Sequence, residues 1–258
     1  MMRIRAISLQ SGSNGNSIYV ETPSTKLLFD AGISGKQAAQ RLSAHGIQIR
    51  DVDALFISHD HSDHSKGAGV FHRKFGLQVH ATEKTLSVAQ RKCRLGAISR
   101  VRFFESGETV IINDVRVTTI PTPHDGVDGV AFVVESGGAR LGILTDLGHP
   151  FTGLQETLCG LDAVFLESNY DPQMLKEGPY PYYLKRRIQS SGGHISNEEC
   201  GVLLAPAFES RLQWACLAHL SETNNDPAIA LSTAKQLAGE ERPIYVASRY
   251  NVSPIFTL

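Results

Sequence analysis

Phe56-Ile57-Ser58-His59-Asp60-His61-Ser62-Asp63-His64 puts three histidines and two aspartates into six residues, directly after an apolar, strand-like run. Neutral imidazole is the commonest metal ligand, and carboxylate oxygen completes sites for Zn²⁺, Mn²⁺ or Fe²⁺. Alternation along an extended chain turns His59 and His61 to the same side, and a turn after them brings Asp63 and His64 toward a second point nearby. That spacing suits two ions better than one. A lone HxH reads as a polar loop, whereas the complete HxHxDH pattern leaving a strand is a far more specific metal-binding signal.

Outward from this loop, short β-branched, apolar runs recur along the chain: Ile4–Leu9, Ser17–Val20, Leu27–Phe29, Ala54–Ile57, Val115–Ile120, Val130–Val134, Leu141–Leu144, Ala163–Leu166, Leu212–Leu217 and Ile244–Val246. These read as strands. Helical segments are expected over Lys36–His45, Lys66–Phe75, Glu83–Lys92, Tyr182–Ser190, Asn197–Leu204 and Pro227–Leu237. Asn113-Asp114 and Gly137-Gly138 read as hairpin turns, and helix–strand alternation is clearer in the second half. The class is α/β, and with no linker or short repeat in its 258 residues the chain reads as one domain, 1–258.

Composition narrows the function classes. The 41% hydrophobic and 20% charged fractions are those of an ordinary globular protein. No run approaches the roughly 18 apolar residues a bilayer span needs. The N-terminal MMRIRAISLQ lacks the apolar stretch of a signal peptide, so a cytoplasmic location and no membrane partner are expected. Cys93, Cys159, Cys200 and Cys216 form no CxxC pair, which argues against disulfides and a thiolate metal site. A net charge of −1 removes any whole-molecule basic field, leaving Arg91–Arg94 and Lys185–Arg187 as local cationic clusters.

The HxHxDH motif resembles that of the metallo-β-lactamase superfamily, and later motifs follow in that family's order: Asp30 after Leu27-Leu28-Phe29, His124 in Pro121-Thr122-Pro123-His124-Asp125, Asp146 after Leu141–Leu144, and His219 in His219-Leu220-Ser221. The resemblance implies an αββα four-layer sandwich. It further implies that His59, His61 and His124 hold one metal, that Asp63, His64 and His219 hold the other, that Asp146 bridges them, and that Asp30 supports the histidine loop. Two divalent ions, Zn²⁺ or Mn²⁺, bridged by hydroxide would supply a nucleophile at neutral pH.

The substrate class rests on residues beyond that set. Gly192-Gly193-His194-Ile195-Ser196-Asn197-Glu198-Glu199 starts a helix, with Glu199 in capping-box register to Ser196. It is similar to the histidine-bearing helix start of ribonuclease Z and PhnP-type phosphodiesterases, which implies that His194 contacts phosphate or protonates the leaving oxygen. Three further stretches resemble the YycJ/WalJ branch: Ser11-Gly12-Ser13-Asn14-Gly15-Asn16-Ser17, Glu167-Ser168-Asn169-Tyr170-Asp171, and His219 to Asn225. That branch implies metal-dependent 5′-to-3′ exonuclease activity on single-stranded DNA, linked to mismatch repair in some members, with Asp63, Asp146 and His194 catalytic. It places Asp30, Glu167, Asn169, Ser13 and Asn14 around the metals or against substrate. Tyr180-Pro181-Tyr182-Tyr183-Leu184-Lys185-Arg186-Arg187 interleaves rings and cations as a single strand requires. The alternative is a small-molecule phosphodiesterase or a thioester or lactone hydrolase of the same fold, which would lack a cationic path away from the metals.

Overall fold

The computed structural model describes residues 4–258, so the first three residues of the MMRIRAISLQ reading lie outside the described residues. The described residues form two compact units: one holds the chain up to Pro121 with Gly126–Gly138 and Ser248–Leu258, the other Thr122–Asp125 with Ala139–Ala247.

In the first unit, β1 (Arg5–Gln10), β2 (Ser17–Glu21) and β3 (Lys26–Phe29) form an antiparallel meander, and β4 (Ala54–Phe56), β5 (Gln78–Ala81) and β6 (Val101–Phe103) continue it in parallel. The parallel crossovers are filled by α1 (Gly35–Ser43), the single turn α2 (Ser62–Ser65), α3 (Ala68–Phe75) and α4 (Glu83–Cys93). Ser34 and Gln37 close a capping box on α1, and the Thr82 side chain caps α4. Alternation along the strands gives each face its own core. Leu28, Leu55 and Val79 pack with Ala38 and Leu42 of α1 and Phe71 and Phe75 of α3. On the other face Phe29 stacks on Phe56 at 5.4 Å and meets Phe132 at 5.0 Å. Phe132 belongs to β9 (Val130–Ser136), which with β7 (Thr109–Ile112) and β8 (Val115–Pro121) makes a second antiparallel meander, turned at Asn113 with φ 50°.

The second unit alternates strand and helix: β10 (Ala139–Leu144), α5 (Leu154–Cys159), β11 (Ala163–Glu167), α6 (Pro172–Glu177), α7 (Tyr182–Ile188), α8 (Asn197–Ser210), β12 (Trp214–Ala218), α9 (Pro227–Ala238) and β13 (Ile244–Val246). Its strands are all parallel, with β11 and β12 buried throughout, which is why they read as unbroken apolar runs. The capping box of Ser196 and Glu199 opens α8. That helix runs six residues past the expected end at Leu204, through Pro206. An interior proline costs about 3 kcal/mol, and burial of Leu203, Leu204, Ala207 and Phe208 around it offsets that cost. The remaining strand, β14 (Phe256–Thr257), pairs with β1 at the edge of the first sheet. Among the described residues no helix is long and apolar enough to cross a membrane.

His80 on β5 is fully buried, stacks on Phe56 at 4.7 Å, and neither ring nitrogen has a hydrogen-bond partner among the described residues. Burial, with Arg102 on the neighbouring strand, pushes its pKa from 6.5 down to about 4. Folding therefore favours the neutral ring, and the unfolded chain binds the extra proton between those two values. Stability on this account is full above pH 6.5 and falls by roughly 3 kcal/mol as pH drops toward 4. His80→Phe should flatten the dependence of the urea midpoint on pH across that window; a slope as steep as the wild type's would remove His80 as its source.

Candidate metal centre

In the first unit the histidine loop leaves β4 and enters α2, with His61 as N-cap and Asp63 and His64 in the single turn. Its anchor is Asp30, which directly follows the neighbouring β3 with a left-handed φ of 65°. Asp30 Oδ1 accepts from the Ser58 amide at 2.8 Å, and Oδ2 accepts from Ser58 Oγ at 3.0 Å and from His64 Nδ1 at 2.7 Å. That last bond selects the tautomer whose Nε2 carries the lone pair, and Asn16 Nδ2 donates to Nε2 at 3.0 Å. The His59 ring lies 4.5 Å from that of His61 and 4.3 Å from that of His64, and Asp63 Oδ2 is 3.6 Å from His64 Nε2. Two close approaches hold the loop. A Cβ on Gly32 would sit 1.6 Å from the Asp63 carbonyl oxygen, and one on Gly126 would sit 2.8 Å from the His59 ring.

Asp60, between the paired histidines, faces the other way. It is fully buried, takes Lys92 Nζ at 2.5 Å and accepts from the Val127 amide at 2.6 Å. Burial opposes its ionisation, but Lys92 and the Val127 amide outweigh it and hold the carboxyl below its usual range. The alternation that turns His59 and His61 together turns Asp60 away from them.

In the second unit Glu167 ends β11, between β10 and β12. Its Oε1 accepts from His194 Nδ1 at 2.7 Å and lies 3.2 Å from His219 Nδ1, and its Oε2 accepts from the amides of Leu147 at 3.0 Å and Ile195 at 3.4 Å. Complete burial alone would raise this carboxyl; the two imidazoles reverse the effect and hold it far below the usual range. Asp146, two residues past β10, and His219, directly after β12, are left-handed, with φ 58° and 57°. Asp146 Oδ1 is 3.4 Å from His219 Nδ1, 3.7 Å from His124 Nε2 and 3.8 Å from His194 Nδ1. His124 donates Nδ1–H to the Gly193 carbonyl at 2.7 Å, and Asn169 Nδ2 donates to the His219 carbonyl at 2.7 Å. One donor atom from each of Asp146, Glu167, His194 and His219 fits within 4.8 Å of the others.

The structure thus gathers Asp30, His59, His61, Asp63 and His64 in one unit, and His124, Asp146, Glu167, Asn169, His194 and His219 in the other. Ser13 and Asn14 are exposed. The residue of that loop that reaches the histidines is the buried Asn16, whose amide also donates to the Asp63 carbonyl at 2.7 Å. Sequence reading passed over it because nothing local distinguishes the two asparagines. It also passed over Asp125, which takes the Arg187 guanidinium through two bonds of 2.7 and 3.0 Å beside His124 Nε2. His149 bonds the Ser191 carbonyl at 2.8 Å, and His45 and His72 likewise bond main-chain carbonyls.

The sequence profile of the metallo-beta-lactamase superfamily matches residues 11–176. The chain belongs to the metallo-beta-lactamase superfamily. Within the superfamily it sides with the YycJ/WalJ branch. It is 34% identical over 233 residues to exodeoxyribonuclease YycJ of Bacillus anthracis, covering 90% of this chain and 88% of that one. It is also 34% identical over 250 residues to exodeoxyribonuclease WalJ of Streptococcus pneumoniae serotype 2, covering 95% and 93%. The metallo-beta-lactamase fold protein YhfI from Bacillus subtilis superposes with a TM-score of 0.75 over 99% of both chains at 14% identity, a likeness of fold. The α/β class and a metal-dependent hydrolase follow for this chain.

The carboxylate behind His194 and His219 sets a testable requirement. Removing such an orienting partner typically costs ~10–100-fold in metal affinity. Glu167→Gln should weaken Zn²⁺ binding by that order in competition against a chromophoric chelator. Wild-type affinity in this variant would show that Glu167 does not orient a ligand.

Proposed function

We propose that this chain is a metal-dependent exonuclease that degrades single-stranded DNA from its 5′ end. The observation that carries the reading is the Glu167–His194 pair at 2.7 Å, a proton donor held by a buried carboxylate beside Asp146 and His219. Relatives named exodeoxyribonucleases, matching this chain almost end to end, support a nucleic acid as the substrate.

The donor chemistry fits divalent cations. Imidazoles whose tautomers are fixed by a carboxylate or a main-chain carbonyl, together with buried carboxylates, are ligands that Zn²⁺ and Mn²⁺ share. In this reading His59, His61 and His124 would hold one ion and Asp63, His64 and His219 the other, with Asp146 as a further ligand. When bound, divalent ions would supply charge neutralisation for the scissile phosphate and an acidified water as nucleophile. The protein's own part is positioning and proton transfer. Asp30 and Glu167 hold the Nδ1–H of His64 and His194, so the proton given to the leaving oxygen comes from Nε2 of the His194 imidazolium, which becomes the neutral ring with Nδ1–H still on Glu167.

A polymeric substrate is favoured by α7. Tyr182 and Tyr183 are about three-quarters exposed there, at 76% and 75%. Lys185 and Arg186 line a cleft of about 630 Å³ with Tyr180 and Tyr182, and the Ile188 carbonyl that ends the helix accepts from the His194 amide at 2.9 Å. Rings and cations thus lead along one helix to the proton donor, as a stacked and phosphate-bound strand would need.

The experiment is digestion of 5′-labelled single-stranded DNA with Mn²⁺ or Zn²⁺, against a chelated control. Metal-dependent release of labelled mononucleotide, absent with Asp63→Ala, is the expected result; cleavage of a thioester or simple phosphodiester without any of the oligonucleotide would replace this reading with a small-molecule hydrolase. Asp63→Ala should lose bound metal along with activity. His194→Ala should retain metal while turnover falls ~10²–10⁴-fold. Loss of metal in that variant would instead make His194 a ligand.

A further inference from the structure

The first unit carries a cationic groove that none of the roles above uses. It has a volume of about 760 Å³ and lies among Asn14 at the tip of the Gly/Ser/Asn loop, Lys36 in the first turn of α1, Lys66 at the end of α2, and Arg249 and Tyr250. Arg41 also lines it, and among the described residues at its wall there is no carboxylate. The chain as a whole has 25 basic and 26 acidic side chains, so four cations without an acid in one groove depart from the average surface. By contrast, the cleft at α7 counts Asp171 and Glu198 in its lining.

The groove is built rather than accidental. Arg41 donates to the carbonyls of Leu9 at 2.9 Å and Tyr250 at 2.6 Å, which ties the Arg249-Tyr250 segment to α1. Lys66 Nζ donates to the Asn14 carbonyl at 3.0 Å, and Asn14 Nδ2 to the Arg249 carbonyl at 3.4 Å, closing the rim. Tyr250 is 60% exposed, and the Arg249 guanidinium lies 5.9 Å from its ring centroid. An open aromatic face beside cations suits a base stacked next to its phosphates. The floor is continuous with the histidine loop: Gly32 lines the groove and its backbone touches the Asp63 carbonyl, while Asn16 behind it bonds both Asp63 and His64.

We infer that this groove binds the substrate strand itself, with Lys36, Lys66 and Arg249 on the sugar–phosphate backbone and Tyr250 under a base, so that a single-stranded nucleic acid is held next to the Asp63–His64 turn. The inference rests on the nuclease reading and adds where the strand lies. A thioester or lactone would have no use for such a groove.

The test measures binding apart from turnover. Fluorescence anisotropy of a labelled phosphorothioate oligothymidine, which resists hydrolysis, is followed against salt with the full metal-loaded protein. In Lys36→Gln/Arg249→Gln the slope of log affinity on log salt should be shallower by about 0.7 for each cation removed. Tyr250→Ala should weaken binding by about 5-fold or more. Melting curves confirm folding, and Lys36→Gln alone, on an exposed helix turn, reads the same slope if the double variant melts early. If the wild type binds and cleaves while every variant keeps its affinity and slope, the groove is not the track and the nuclease reading stands. If the wild type neither binds nor cleaves the strand, both are overturned.

Discussion

An L-residue other than glycine at positive φ brings its Cβ against its own backbone, at a cost of about 1–2 kcal/mol. This chain places such a residue at or just beyond the carboxyl end of β3, β10 and β12, and all three belong to the candidate metal centre: Asp30, Asp146 and His219. The left-handed turn stops the pleat abruptly, so the side chain swings across the end of the sheet instead of continuing the alternation. Aspartate and histidine are among the side chains that tolerate this conformation best. The strain persists because neighbours over-determine each position. Asp30 is held by three hydrogen bonds to Ser58 and His64, and His219 by Asn169 and Glu167.

Both units then use the same second device, a buried carboxylate on the Nδ1 side of an imidazole. Asp30 does this for His64, and Glu167 does it for His194 with His219 close by. A buried carboxylate alone would take up a proton, whereas one facing two imidazoles and two amides stays ionised. The dependence is mutual: the carboxylate needs the rings to remain charged, and the rings need it to fix which nitrogen carries the lone pair. Removing either side leaves an unmet buried polar group, so the cluster stands or falls as one unit.

Much of the fold was legible because burial on both faces writes continuous apolar runs. β1 to β4 and β8 to β13 were found to within one or two residues at each end. The missed strands have physical reasons. β5 carries Gln78 and the buried His80; β6 is a mostly exposed edge with Phe103 outward; β7 is four residues with Ile111 exposed; β14 is two residues long. Helices α2, α5 and α6 are four to six residues, too short for a helical period to show. In the candidate site, HxHxDH was legible because its residues are local in sequence. The Glu167–His194 pair spans 27 positions and needs the parallel order of β10, β11 and β12. Asn16 and Asn14 differ only in which way the loop turns.

Net charge was the least informative number in the sequence, and the reason is distance. At physiological ionic strength exposed charges act over roughly 8 Å, so a polyanion responds to the few cations lining its path and hardly to a balance summed over the whole surface. In this chain several acids are engaged by histidines, amides and hydroxyls: Asp30, Asp60 and Glu167 are buried, and Asp114 accepts from Thr22, Thr25 and Ser136. A carboxylate bonded in this way contributes little field outside. The lysines and arginines keep their head groups near water, as Lys36 and Lys66 do. A chain near neutrality can therefore present a cationic groove, because what a strand meets is the local lining, here Lys36, Arg41, Lys66 and Arg249 without a carboxylate among the described lining residues.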